Sequence, residues 1–403
     1  MTSGRQRRAF VLVIDACGAG ALPDAAEYGD AGTCTLTHLA EAHGGLELPV
    51  LGGLGLGSIV PIEGVPPVAS DRAAVHGRLA PLGPGKDSIA GHWELMGITL
   101  HAALPTYPGG FPEPLVRRLE AATGHAIICN RADDGLSAIA EFGEEHLQGG
   151  GLILYTSQDS VLQLAAHVER LAPERLYEAC RRAREAMAGP NAVGRVIARP
   201  FHGEPGGFER TAGRRDFALA PPARSYLQEL AASGSNVIGV GKIEDLFAAR
   251  GLTASLPGAT NKQALDGVAL LAEELDDDSP ALVFANLIET DQVYGHRKDV
   301  AGFAAALAEI DKRTGALLER LGKDDLLIVT ADHGVDPLHP GTDHTREYAP
   351  LLAVTGAMAR RAAAGRGYGG RRHDGLLADV GASVLHWLTG RTAPLPGESF
   401  LDS

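Results

Sequence analysis

Short runs of four to seven apolar residues, each followed by a stretch of helical periodicity, recur along the chain. The strand candidates are Phe10–Ile14, Ala126–Cys129, Leu152–Tyr155, Asn236–Val240, Leu282–Ile288 and Leu326–Thr330. Several are apolar at successive positions instead of alternate ones, the pattern of strands buried on both faces of a parallel sheet. Between them lie amphipathic segments. Asp299 is a predicted N-cap, Phe303, Leu307, Ile310, Leu317 and Leu321 share the face that follows, and Gly322 is the predicted C-cap. A second helix is predicted from Pro173, with Leu176, Cys180, Ala183 and Met187 on one side. Strand and helix in alternation predict an α/β fold.

Proline and glycine cluster at Leu104–Pro114 and again at Pro200–Gly213. These clusters predict an inserted, smaller α/β cap domain over residues 104–218, interrupting a core made of residues 1–103 and 219–403. The 403-residue length allows either one large domain or two ordinary ones.

Composition excludes several classes. With 45% hydrophobic and 21% charged residues the chain is globular, not disordered. The formal net charge is −14 and no basic stripe is present, so nucleic acid is not an expected partner. Arg5, Arg7 and Arg8 are read as a ragged tail; the apolar run Ala9–Ile14 behind them is too short for a signal-peptide core and ends at Asp15. No run of about 18 apolar residues exists, so no membrane span is expected. Cys17, Cys34, Cys129 and Cys180 form no CxxC pair and no disulfide framework, which fits a reduced, cytoplasmic setting.

Four segments carry chemistry, each after an apolar strand or in a glycine-rich loop, where open α/β sheets bind ligands. The first, Val11–Gly20, puts Asp15 at a strand end before glycines that let the chain turn; alone, Asp15 reads equally well as a turn aspartate. The second, G-K-D-S-I-A-G-H-W-E at Gly85–Glu94, sets the hydroxyl of Ser88 among Lys86, Asp87, His92 and Glu94. A hydroxyl is a poor nucleophile until a base or a metal activates it. The third, Phe284–Asp299, carries Asp291 and His296 five residues apart, a spacing that a loop can aim at one ion; Glu289 is a competing carboxylate, and Asp291 is favoured. The fourth, Leu327–Pro337 followed by Gly341–Glu347, carries Asp332 and His333 at a strand end and His344 eleven residues on, with Asp336, His339 and Asp343 as supporting or surface residues.

Three aspartates, three histidines and a hydroxyl exceed the three or four protein ligands one ion takes. Two ions, held about 4 Å apart, clamp the attacking and leaving oxygens of a transferring phosphoryl group. Mixed carboxylate and imidazole ligands suit Mn²⁺ or Zn²⁺ better than Ca²⁺, with Mg²⁺ a further option.

In this order the four segments resemble the alkaline phosphatase superfamily and, more narrowly, its phosphopentomutases. Tyr155–His167, Gly194–Phe201, Gly203–Thr211 and Gly239–Phe247 resemble that family as well, so the likeness runs nearly end to end. The resemblance implies an alkaline-phosphatase-like core, a mostly parallel sheet sandwiched by helices, with the cap as an insertion. It implies interconversion of ribose 1-phosphate and ribose 5-phosphate, and of their 2-deoxy counterparts, through a phosphorylated hydroxyl residue and a 1,5-bisphosphate, with two Mn²⁺ ions and a monomeric chain. Asp291, His296 and His344 would hold one ion, Asp15, Asp332 and His333 the other, with phosphorylated Ser88 between them. Ser157 and Asp159 would meet the sugar hydroxyls, and Arg195, Arg210 and Lys242 the distal phosphate, in keeping with the donors a dianion prefers.

The chain departs from the family's pattern at several positions. Ser88 stands where threonine is usual, Ala90 where a second threonine is found, and Ile288-Glu289-Thr290 in place of Val-Asp-Phe; Asn130–Ser137 also differs, from Arg131 on. The rival readings are a hydrolase of the same superfamily, against which Lys242 and the arginines speak, and a silent metal-binding protein, against which the nucleophile speaks.

Overall fold

The structure is a computed structural model and describes residues 6–157, 160–275 and 279–401. Its strands, in chain order, are β1 (Arg8–Ile14), β2 (Val75–Ala80), β3 (Ile127–Ala132), β4 (Leu152–Thr156), β5 (Val161–His167), β6 (Arg195–His202), β7 (Glu209–Arg210), β8 (Arg215–Ala218), β9 (Asn236–Val240), β10 (Ala254–Leu256), β11 (Ala281–Leu287), β12 (Asp325–Thr330), β13 (Ala349–Thr355) and β14 (Gly375–Leu376). The chain divides into two compact units, residues 1–103 with 221–403, and residues 104–220.

The larger unit is built on one eight-stranded sheet in the order β10-β9-β11-β1-β12-β13-β2-β14. Its centre, β9-β11-β1-β12, is parallel, and antiparallel pairing enters only where β13 joins β12 and β2. β1, β11 and β12 are buried at every position, as continuous apolar runs require when both faces of a sheet are covered. Helices Thr35–His43, Asn261–Glu274 and Val300–Arg320 pack as one group, and Ser88–Leu95, Tyr226–Ala232 and Asp379–Thr389 belong to another, so the sheet is sandwiched between helical layers. Among the described residues no helix is long and apolar enough to cross a membrane.

Arg8 is not part of a ragged tail. It begins β1 directly opposite Asp325 of β12, is 1% exposed, and meets the Asp325 carboxylate with Nε at 3.0 Å and Nη2 at 2.7 Å. Nη1 donates to the Ala272 carbonyl at 3.0 Å. A planar fork matched to a carboxylate is the arrangement that makes a buried charge tolerable.

The smaller unit carries a second sheet in the order β3-β4-β5-β6-β7, with β8 also antiparallel to β6. Strand alternation sorts its side chains. Leu152, Leu154, Leu162, Leu164, Val196 and Ala198 face helices Glu113–Thr123 and Pro173–Ala186, whereas Ile153, Tyr155, Ala165 and Phe201 face helix Gly135–Gly149.

Where predicted and observed elements differ, the cause is local. Helix Val300–Arg320 begins as expected, Asp299 accepting from the Gly302 N–H at 2.9 Å. It ends on Leu321, whose backbone is extended (φ −61°, ψ 127°), while the Gly322 N–H is taken by the Asp325 carboxylate at 2.6 Å. β5, β6 and β13 escape an apolar-run criterion because they contain Gln163, Arg195, Arg199, Pro200 and Pro350.

Candidate active site

The carboxyl ends of β1, β11 and β12 lie side by side in the sheet, and the first site residues follow from that. Asp15 leaves β1, 1% exposed. The sharp turn after it is made by Ala16, in the left-handed region at φ 63°, and not by the glycines further on. This conformation aims the Ala16 N–H at Asp332 Oδ1, 3.2 Å away. A non-glycine residue held there stores strain of the kind found at functional sites.

Ser88 is the first residue of helix Ser88–Leu95, and Asp87 is its N-cap, accepting from the N–H groups of Ile89 (3.0 Å) and Ala90 (3.1 Å). Ser88 Oγ lies 3.1 Å from His333 Nε2 and 3.4 Å from Asp15 Oδ1. The other polar groups of this loop hold it in place. Lys86 pairs with Asp30 at 3.0 Å, Glu94 accepts from the Gly83 N–H at 2.9 Å, and Arg346 donates to the Gly85 carbonyl at 2.8 Å while bonding Asp24 at 3.0 Å. Arg346 therefore ties the Ser88 loop to the loop that bears His344.

Asp291 and His296 are brought together by a π-helical turn, Thr290–Gly295, not by an open loop. The His296 N–H donates to the Asp291 carbonyl at 3.2 Å across five residues, and His296 Nε2 comes to 3.4 Å from Asp291 Oδ1. Such turns are frequent at functional sites because they re-aim a side chain within a helix. Glu289 faces elsewhere, exchanging hydrogen bonds with Asn261 at 2.6 and 3.0 Å. Thr290 donates its hydroxyl to the Asp15 carbonyl at 2.7 Å.

Asp332 and His333 follow β12, and His344 arrives from the 341–347 loop. His333 Nε2 is 3.3 Å from both Asp15 Oδ1 and Asp332 Oδ2, and His344 Nε2 is 3.4 Å from Asp291 Oδ1. The rings of His333 and His344 have centroids 4.1 Å apart, those of His296 and His344 4.7 Å. Asp336 is buried and bonds the Cys34 N–H and His38, and Asp343 lies 3.7 Å from Lys86, so both support the loops.

Two residues of the centre carry no strand-end or spacing signal. Asn286, inside β11, donates Nδ2 to Asp15 Oδ2 at 2.8 Å and faces His92 Nε2 at 3.2 Å. His92 in turn bonds the Ser88 carbonyl at 2.8 Å and lies 3.1 Å from Asp332 Oδ2. The sequence signal for Asn286 is a single amide in an otherwise apolar buried strand; for His92 it is membership of the glycine-rich segment.

Electrostatics show what the centre is built for. Burial alone would lift the Asp332 carboxyl, but His333 and His92 outweigh it and hold the group down at about 2. Burial alone would lower His333, and Asp332, Asp15 and Asp291 outweigh that, raising it well above the usual imidazole range. Asp291 likewise is lifted by burial but lowered on balance by His344 and His296. Buried carboxylates here rely on positive charge for stability. Asp291 Oδ1 and Asp332 Oδ2 are enclosed and no hydrogen bond of regular geometry satisfies them; imidazole nitrogens stand off at 3.1 to 3.4 Å. The donor atoms of Asp15, Asp332 and His333 lie within 4.8 Å of one another, as do those of Asp291, His333 and His344. Unsatisfied oxygens and convergent imidazoles fit divalent cations.

The remaining predicted residues have these surroundings. Lys242 follows β9 and donates Nζ to Gln292 Oε1 at 3.1 Å. Ser157, Arg195 and Arg210 belong to the smaller unit, where Arg195 is 3.8 Å from Asp216 and Arg210 packs beside Gly135 and the Tyr155 hydroxyl. Asp159 lies outside the described residues.

The family model of the Metalloenzyme superfamily matches residues 7–390. The chain is 48% identical over 398 residues, 98% of each chain, to a phosphopentomutase of Symbiobacterium thermophilum, and 48% identical over 396 residues, again 98% of each, to a phosphopentomutase of Anaeromyxobacter sp.. The chain belongs to the phosphopentomutase family, within the Metalloenzyme superfamily. It is thus an enzyme of the mutase class of phosphotransferases. A solved structure, the PH0037 protein of Pyrococcus horikoshii, shares the fold with TM-score 0.50 at 13% identity, covering 97% of this chain and 99% of that one. Within this phosphopentomutase family member, Ser88 occupies the helix start and Thr290 the hydroxyl contact to Asp15 where the family pattern has threonine and phenylalanine.

Proposed function

We propose that the chain interconverts ribose 1-phosphate and ribose 5-phosphate, and the 2-deoxy pair, through a phosphorylated Ser88 and a 1,5-bisphosphate intermediate. The observation that carries the reading is the Ser88 hydroxyl at the start of a capped helix, 3.1 Å from His333 and 3.4 Å from Asp15. Asp15, Asp332 and His333 would hold one divalent ion and Asp291, His296 and His344 a second, Mn²⁺ suiting the mixed ligands. Bound ions supply charge neutralisation for the phosphoryl oxygens.

Phosphorylated Ser88 carries the group to be transferred, beside the positive end of its own helix. A hydroxyl of the incoming sugar phosphate attacks the phosphorus, the bond from phosphorus to Ser88 Oγ breaks, and the bisphosphate forms. Turned about, the bisphosphate offers its other phosphate to Ser88 Oγ, and the isomeric monophosphate leaves. Ser157 and Asp159 are proposed contacts of the sugar hydroxyls, and Arg195, Arg210 and Lys242 of the phosphate that is not in transfer, with the inserted segment serving as the cap. Positioning and electrostatic stabilisation account for most of the rate in such chemistry.

The test is a coupled isomerase assay on ribose 1-phosphate and deoxyribose 1-phosphate with Mn²⁺, run beside a phosphate-release assay. Isomerisation in large excess over release is the expected result. Stoichiometric phosphate release would assign a hydrolase instead.

A further inference from the structure

The two ligand groups are not built alike. In the group Asp15, Asp332 and His333, neighbouring donors orient the carboxylates. Asn286 Nδ2 fixes Asp15 Oδ2 at 2.8 Å, the N–H groups of Ala16 and His333 fix Asp332 Oδ1 at 3.2 and 3.1 Å, and His92 Nδ1 stands 3.1 Å from Asp332 Oδ2. Asn286 serves both carboxylates. One amide hydrogen goes to Asp15 and the other points at His92 Nε2, 3.2 Å away, which must then be the accepting nitrogen. The proton of neutral His92 is thereby set on Nδ1, facing Asp332 and the Ser88 carbonyl. All five side chains are buried, His333 among them at 3% exposure.

The group Asp291, His296 and His344 is held differently. Asp291 and His296 depend on one π turn. The His296 side chain is 30% exposed, and its oriented contact is to the Thr342 carbonyl in the 341–347 loop. Asp343, next to His344, is 49% exposed. Charge points the same way, since the first group offers two carboxylates and the second only one. Ligands that are already oriented bind a metal more tightly, and removing such an orienting partner costs about 10–100-fold in affinity.

We infer that the two groups take divalent ions with unequal affinity, the Asp15–Asp332–His333 group first and tightly, the Asp291–His296–His344 group second and exchangeably, with Asn286 and His92 as the positioning residues that create the difference. The inference rests on the two-ion reading of the site. Its consequence is regulatory: turnover follows the free metal concentration through the weaker group, while the tighter group stays filled.

The experiment is a Mn²⁺ titration of the metal-free full chain, with free Mn²⁺ followed by electron paramagnetic resonance. Wild type should show two classes of site at least about tenfold apart. His296→Ala should remove the weaker class alone. Asn286→Ala and His92→Gln should weaken the stronger class by about 10–100-fold and leave the weaker class within about twofold, with the metal-free melting temperature as the control for folding. If Asn286→Ala does not fold, Asn286→Leu, of similar shape but without a donor, takes its place. Two equal sites in wild type, or equal weakening of both classes by Asn286→Ala and His92→Gln, would overturn the inference. Unequal sites in a protein without mutase activity would instead sink the proposed reaction and leave the inference standing.

Discussion

Gly91 lies so close to Asp332 that a Cβ built on it would be 2.4 Å from the Asp332 carbonyl oxygen and 2.7 Å from its Cβ. The helix that begins at Ser88 can therefore rest against the β12 loop only because it is bare at that point. Gly91→Ala should push the two apart, at a cost on the order of 1–3 kcal/mol. Urea unfolding should show that loss, and Mn²⁺ affinity should fall with it, because Ser88 and Asp332 would no longer keep their spacing. Wild-type affinity in the alanine variant would mean that the contact does not set the site.

Ser88 lacks the methyl group of the threonine usual in the family pattern, and on the proposed mechanism a phosphate on its oxygen would be more open to water. Ser88→Ala should abolish both isomerisation and labelling of the protein by substrate phosphate, with the fold intact by circular dichroism. Ser88→Thr should keep isomerisation and lower the ratio of phosphate released to sugar isomerised. Equal ratios for serine and threonine would remove the methyl group from the explanation.

The Arg8–Asp325 pair, enclosed between β1 and β12, predicts an asymmetric mutational response. Arg8→Ala leaves the Asp325 carboxylate buried without its partner, and about 3–5 kcal/mol of stability should be lost in denaturant titration. The double variant Arg8→Met with Asp325→Leu should recover most of it, since neither side then buries a charge. A double variant as unstable as Arg8→Ala would show that packing, and not the unpaired carboxylate, dominates.

In the smaller unit, His146 is buried and holds both ring nitrogens in use, Nδ1 toward the Gly151 carbonyl and Nε2 accepting from the His167 N–H at 2.9 Å. Burial lowers its pKa from the ordinary 6.5, and His167 and Arg170 lower it further against the opposing bond to Gly151. The unfolded chain then binds the proton at a higher pH than the folded one. Stability is therefore full above the ordinary value and declines as the pH falls below it, until the folded histidine itself is protonated. Protection of the His167 amide against hydrogen exchange, measured in EDTA and corrected for intrinsic rate, should drop below about pH 6.5. In His146→Asn that pH dependence should flatten; an unchanged slope would exclude His146 as its source.

Much of this architecture was legible in the residue order, for a physical reason. β1, β11 and β12 are buried on both faces, so apart from Arg8, Asn286, Asp325 and Thr330 their residues are apolar, and charged groups return just past their ends at Asp15, Glu289–Asp291 and Asp332. β5 and β6 were harder to recognise because Gln163, Arg195 and Arg199 interrupt the pattern. Asp291 was favoured over Glu289, but alternation does not distinguish residues two apart, and the turn that brings Asp291 to His296 is π-helical, a pitch with no counterpart in strand or α-helix periodicity. The orienting pair was hidden for another reason. Asn286 meets His92 across 194 residues and Asp15 across 271, and no local pattern records a contact of that range.

The position of β1 bears on how the chain acquires its shape during synthesis. The strand that ends at Asp15 is made long before its two neighbours in the sheet, β11 and β12, which begin at Ala281 and Asp325. An emerging chain thus carries a strand that is apolar after Arg8 and whose edges lack these mates until synthesis has passed Ala281 and Asp325. Pairings of such long sequence separation close slowly and leave sticky edges in the interval. On a ribosome the smaller unit, continuous from residue 104 to 220, has all its own strands in hand before the larger sheet can close. The cluster of Asp15, Asp291 and Asp332 is accordingly assembled only after the strands of the smaller unit have all been made.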